Sequence, residues 1–356
     1  MKKYFNTLLI ALLIIASTFG LTSCKYNDPE ITTNNIQNLI ILIGDGMGEN
    51  HIDNAKTYFE LDTQLFESNY IANINTSSLS LGATDSAAAA TALATGVSVK
   101  NGRIGHDGDS AIKNIMEYAS DKNMLTGIIT NDKLFGATPA AFSAHTKDRG
   151  NTLEIIQDQS TSSLDLMIGK YSGEYYTNES LFTSNGFTMC DNTQDLYATP
   201  NTQKVIANLN NIYSIYNPEK TNQTNLVDLV EYAINYLDNE NGFVLMVECA
   251  YIDKFSHSND IIPALAEVRT LFDIANYATA YINNNPDTAL IVTSDHETGG
   301  LKYTNDKSKI NNDLYTKGGH SSKDVRLYSK GITLDSTENL RNTVVFDMSY
   351  TAITKP

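Results

Sequence analysis

Asn38-Leu39-Ile40-Ile41-Leu42-Ile43-Gly44-Asp45-Gly46-Met47-Gly48 is the stretch that decides the fold. Five apolar residues in a row leave no polar face, so the strand they predict is covered on both sides. The run ends on an acid set among glycines, which allow close backbone approach around one carboxylate. Similar runs recur at Leu125–Thr130, Leu164–Ile168, Phe243–Val247 and Ala289–Thr293, with helical patterns at Ala111–Lys122, Leu226–Leu237 and Pro263–Asn283 between them. Buried strands alternating with helices predict an α/β fold: a three-layer α/β/α sandwich with a large, mostly parallel central sheet. Polar or acidic residues follow several strands directly: Asp45, Asn131-Asp132, Glu248 and Asp295-His296. In open α/β sheets a site lies outside the carboxyl ends of the strands, so residues far apart in sequence can meet there.

The chain has 356 residues and is 41% hydrophobic, enough for a sizeable core. Residues 1–23 read as a signal peptide, with Lys2 and Lys3 ahead of an apolar stretch too short to span a bilayer. Leu21-Thr22-Ser23-Cys24 resembles a bacterial lipobox, which implies lipidation of Cys24 and an exported periplasmic or cell-surface lipoprotein. Residues 24–35 read as a tether and 36–356 as one domain, with small surface insertions around 171–224 and 303–318. The Asn-, Thr- and Tyr-rich stretch from Tyr171 to Thr224 is read as surface excursions with at most a small subdomain.

The formal net charge is −16 and becomes more negative once Lys2 and Lys3 leave with the leader. That excludes nucleic acid and anionic membrane surfaces as electrostatic partners. An anionic substrate then needs strong local positive charge, which metal ions can supply. Cys249 lies in an apolar run and reads as a small buried hydrophobe rather than the disulfide partner of Cys190.

Ser86 follows Asp85 and opens a run of small residues, Ala87-Ala88-Ala89-Ala90. It reads either as a helix N-cap or as a nucleophile at the positive end of a helix, where an anion is favoured. Asp253 and His257, four apart, share one face if helical, as a common metal requires. Asp295-His296 supplies two adjacent donors after a strand, and His320 sits in a glycine-rich loop. His51 and His106 carry no assignment.

Taken in order, Gly44 to Gly48, Thr84-Asp85-Ser86-Ala87, Ala137-Thr138-Pro139-Ala140 with Arg149, Glu248 through His257, Thr293 to His296, and Gly319-His320 resemble the alkaline phosphatases. The resemblance runs from about Asn38 to about Gly331. It implies hydrolysis of small phosphate monoesters through a phosphoserine on Ser86, with Arg149 clamping the phosphate, and it implies a homodimer. It also implies two zinc ions and one magnesium ion. Asp253, His257 and His320 would hold the first zinc, and Asp45, Asp295, His296 and Ser86 the second. Asp45, Thr138 and Glu248 would hold the magnesium. Asp85 is expected to orient Arg149 or cap the helix, His145 to be structural, and Lys254 to reach phosphate through water or stay solvated. Gly136 departs from the pattern, where familiar members carry Asp or His beside the magnesium site. The competing readings are a phosphodiesterase or other phosphoryl hydrolase of the same superfamily and a non-catalytic lipid-anchored binding protein. A sulfatase is disfavoured, because no Cys stands at position 86.

Overall fold

The apolar runs form the strands expected of them. The computed structural model describes residues 29–33, 35–61, 63, 67–210, 212–213 and 224–355. The leader and Cys24 readings lie outside the described residues. In the central sheet, β1 is Asn38–Gly44, β2 Tyr70–Ile74, β3 Leu125–Thr130, β4 Leu166–Lys170 and β5 Phe187–Cys190. The rest are β6 Lys204–Leu209, β7 Phe243–Cys249, β8 Thr288–Thr293 and β9 Val325–Lys330. Their order is β2-β9-β8-β1-β7-β3-β4-β6-β5. The pairs from β8 to β5 are parallel. At one edge of this sheet β9 pairs antiparallel with both β8 and β2.

Side chains of β1 alternate between two cores. Leu39, Ile41 and Ile43 pack with Ala87, Leu93, Val344 and Met348 on one face. Ile40 and Leu42 pack with Leu229, Val230, Leu265 and Leu271 on the other. Helices Ser86–Thr95 and Val344–Thr354 therefore cover the first face, and Leu226–Leu237 and Ile261–Asn284 the second. This is the expected three-layer sandwich, and the chain from Ile31 onward is one compact unit. No helix among the described residues is long and apolar enough to cross a membrane.

Two expectations are corrected. Part of the 171–224 stretch is sheet, not surface excursion: β5 and β6 extend the parallel array, and Val205, Ile206, Ala207 and Leu209 are buried. Asn208 hid this run. It is polar yet buried, because its side chain accepts from Ser172 N and donates to Ser172 O. The helix expected at Ala111–Lys122 is only Ile115–Ser120, started by an Asn114/Glu117 capping box, while Ser110–Ala111 pairs with His106–Asp107.

Parallel register sets the site. Ile43 lies opposite both Glu248 and Thr293, and Glu248 opposite Thr130. The residues following β1, β8 and β3, and Glu248 within β7, thus share one edge.

Candidate active site

Asp45 sits in the turn between β1 and helix Glu49–Phe59. Gly46 has φ +74°, and a Cβ there would come 2.8 Å from Asp253 and 2.9 Å from the Thr298 hydroxyl. Glycine alone lets this turn close on the rest of the site. Gly46 N–H donates to Asp295 Oδ1 at 3.0 Å. Burial first, then repulsion from Asp295, Asp253 and Glu248, holds the Asp45 carboxyl well above the usual range, offset by the Arg149 charge.

Asp253 and His257 lie on helix Tyr251–His257, as their spacing predicts. His257 Nε2 is 3.4 Å from Asp253 Oδ2, His320 Nε2 is 3.6 Å from Asp253 Oδ1, and the two Nε2 atoms are 3.1 Å apart. The second group gathers on His296, whose Nε2 is 3.2 Å from Asp295 Oδ2, 3.2 Å from Ser86 Oγ and 3.7 Å from Asp45 Oδ1. Asp253 belongs to both groups, lying within 4.8 Å of Asp45 and His296 as well as of His257 and His320.

The three imidazoles are oriented alike. Nδ1 of His257 meets Gly318 O at 2.6 Å, Nδ1 of His320 meets Thr84 O at 2.7 Å, and Nδ1 of His296 meets Thr298 Oγ1 at 3.2 Å. An oxygen on Nδ1 fixes the tautomer that presents the Nε2 lone pair, as a metal-binding histidine requires. Burial, then the facing His320, lowers His296 to about 3, so it stays neutral. Asp45 Oδ1 and Asp295 Oδ2 are buried with no hydrogen-bond partner among the described residues. Imidazole and carboxylate oxygens, buried around His296 and more open around His257, fit zinc.

For the third set, Glu248, the penultimate residue of β7, accepts from the Thr130 hydroxyl. Burial raises it to about 7 despite that bond, with further repulsion from Asp132 and Asp295. Thr138, on the short helix Ala137–Ala141, has a buried hydroxyl with no partner among the described residues. Asp45 and Glu248 are close enough to repel one another, and carboxylate and hydroxyl oxygens of this kind are the donors magnesium takes. Lys254 pairs with Asp132.

Ser86 is the first residue of its helix and not the cap. Asp85 caps it, Oδ1 accepting from Ala88 N at 3.0 Å. The Ser86 hydroxyl is therefore released toward His296. Asp85 Oδ2 also accepts from Gly102 N at 2.9 Å and Arg149 Nη1 at 3.1 Å, so one carboxylate performs both tasks expected of it. Asp85→Ala is expected to cost about 1 kcal/mol through the lost cap. It should also free the Arg149 side chain, which under a phosphate-binding role would weaken substrate binding and raise KM several-fold. Thermal melts and steady-state kinetics check both; an unchanged KM would remove the anchoring role.

His145 is structural, meeting Gly105 O at 3.0 Å and Glu117 Oε1 at 3.3 Å. His51 takes Gly48 N–H on Nδ1 and meets Ser256 Oγ at 2.9 Å, fastening the Asp45 turn to the helix of Asp253. Cys190 and Cys249 are free and buried. Sequence reasoning missed Thr130 and Thr298, which touch candidate ligands through hydroxyls that no spacing marks.

A serine facing histidines and carboxylates at the carboxyl edge of an α/β sheet forms a cluster able to hold metal ions. The profile of the family described as alkaline phosphatase matches residues 36–171 and 173–342, so the chain belongs to the alkaline phosphatase family. It is 31% identical to alkaline phosphatase 4 of Bacillus subtilis over 291 residues, covering 75% of this chain and 62% of that one. Alkaline phosphatase 3 of the same organism is 29% identical, with 74% and 62% covered. The chain thus spans about three-fifths of the length of these curated relatives. The structure of an alkaline phosphatase from the Antarctic bacterium TAB5 matches with a TM-score of 0.77 at 28% identity, covering 91% of this chain and 99% of that one.

Proposed function

We propose that this chain hydrolyses phosphate monoesters to an alcohol and inorganic phosphate, with Ser86 as nucleophile and Arg149 as phosphate clamp. The observation that carries the proposal is the approach of Ser86 Oγ to His296 Nε2 inside the histidine–carboxylate cluster. Asp253, His257 and His320 would hold one zinc, Asp45, Asp295, His296 and Ser86 the other, and Asp45, Thr138 and Glu248 a magnesium. A variant of the TAB5 alkaline phosphatase has magnesium bound in its M3 site. Bound metals supply positive charge that stabilises alkoxides and acidifies water.

The chain's own residues do the rest. The helix N-terminus and the small side chains behind Ser86 make room for an anion. Ser86 Oγ bonds to phosphorus as the P–O bond to the alcohol breaks, and the serine proton is gained overall by the departing alcohol. Water then adds to phosphorus, Ser86 recovers its hydroxyl, and phosphate leaves. Arg149, 40% exposed and steadied by Asp85, offers a planar fork to two non-bridging oxygens, which a lysine does not. The test is a panel of aryl phosphate monoester, diester and sulfate ester at alkaline pH. Monoester turnover is expected to dominate, and faster diester or sulfate cleavage would overturn the proposal.

Gly136 precedes the Thr138 helix at its N-cap and provides no side-chain cap. A Cβ there would meet the Lys133 carbonyl oxygen at 3.0 Å and Pro139 at 3.6 Å, so Asp requires that carbonyl to give by a few tenths of an ångström. Gly136→Asp is expected to hold magnesium about 10–100-fold more tightly than wild type, by supplying a carboxylate beside the third set. Magnesium titration of the zinc-loaded proteins checks this; equal affinities would show that the missing carboxylate is immaterial.

A further inference from the structure

Thr298 is fully buried two residues after His296. Its backbone N–H donates to Gly46 O at 3.1 Å, beside Asp45, and its Cα pairs with that of His320 across a short antiparallel bridge. Its hydroxyl donates to Asp253 Oδ1 at 2.5 Å. The same oxygen is 3.2 Å from His296 Nδ1. The hydroxyl proton is spent on the carboxylate, so this oxygen must accept from His296 Nδ1–H. The result is one directed chain, from His296 through Thr298 to Asp253. His296 belongs to one group of candidate ligands and Asp253 also to the other.

We infer that the Thr298 hydroxyl couples the two zinc sites, so that filling one favours filling the other. The inference rests on the two-zinc reading given above. A cation on His296 Nε2 fixes the ring and its Nδ1–H. That fixes the hydroxyl rotor, which in turn fixes the Asp253 carboxylate. The cost of ordering the chain is met at the first binding event, and a second ion finds its ligand already oriented. Thr298 is thus a positioning residue.

Thr298→Val keeps the shape and removes both hydrogen bonds, whereas Thr298→Ser keeps them. The experiment is zinc binding to the metal-stripped full-length chain, read by competition with a chromophoric chelator. Wild type and Thr298→Ser are expected to bind two zinc ions cooperatively. Thr298→Val is expected to bind both about 10–100-fold more weakly and without cooperativity. Wild-type zinc binding without cooperativity overturns the inference, as does a Val variant that binds like wild type or loses only one site. A wild type that takes up no zinc overturns the two-zinc reading itself, a distinguishable failure. Melts of the stripped proteins report folding, and Thr298→Ala gives the same reading if the Val variant does not fold.

Discussion

Ser86→Ala is expected to lower kcat for an aryl phosphate by about 10⁴–10⁶-fold, the range for removing a nucleophile whose partners act as a unit. The hydroxyl lies at the positive end of a helix and 3.2 Å from His296 Nε2. No other hydroxyl among the described residues has that environment. The substitution is expected to leave the fold intact, because Asp85 supplies the cap and Ala suits the first turn of a helix. A melting temperature within a few degrees of wild type, beside the lost turnover, separates chemistry from unfolding. Acid-quenched labelling with a radioactive monoester should mark wild type at Ser86 and leave the variant unmarked. Monoester turnover near the wild-type rate in Ser86→Ala would remove Ser86 from the mechanism.

Stripping metal is expected to abolish turnover and to destabilise the protein, with zinc restoring both. Asp45, Asp295, Glu248 and Asp253 are all buried. In the stripped chain their repulsion and desolvation oppose folding. A ligand at about 1,000 times its Kd stabilises by about 4 kcal/mol per site. Two sites then move the melting temperature by roughly 10–20 °C in a domain of this size. The pH dependence of the stripped chain has a definite sign. The Asp45, Asp295 and Glu248 carboxyls are raised by burial, Glu248 to about 7. Through these carboxyls the folded state binds more protons than the unfolded one between about pH 4 and the raised values, an effect partly offset below about pH 6.5 by the buried neutral His296 and His51, lowered to about 3 and about 4. Stability present at low pH is lost as pH rises through about 7. Melts of chelated protein at pH 5 and pH 8, with and without zinc, check this. A stripped chain as stable at pH 8 as at pH 5 would show that the carboxylates do not oppose one another.

Much of the fold was legible because burial leaves a local mark. Leu39 to Ile43 could only be a strand covered on both faces, and Leu226–Leu237 is a helix over the residues its periodicity indicated. β6 was not legible, since Asn208 breaks the run and its two hydrogen bonds to Ser172 depend on tertiary packing. Within the site, Asp253 with His257 could be read from helical spacing, and Asp45 and Asp295-His296 from their places after strands.

The sequence by itself determined the layered α/β architecture and the identities of the chemical groups, because apolar periodicity and side-chain chemistry are properties of short segments. Only the tertiary structure decided that Asp85 caps while Ser86 is free. The same holds for Asp253 standing in both groups of ligands and for the Thr298 hydroxyl joining His296 to Asp253. Ser86 and His296 are 210 residues apart, and Thr84 and His320 are 236 apart. Their meeting depends on the register of parallel strands and on the left-handed turn at Gly46. No local segment carries that information, because which strand ends become neighbours is settled only when the whole sheet is assembled.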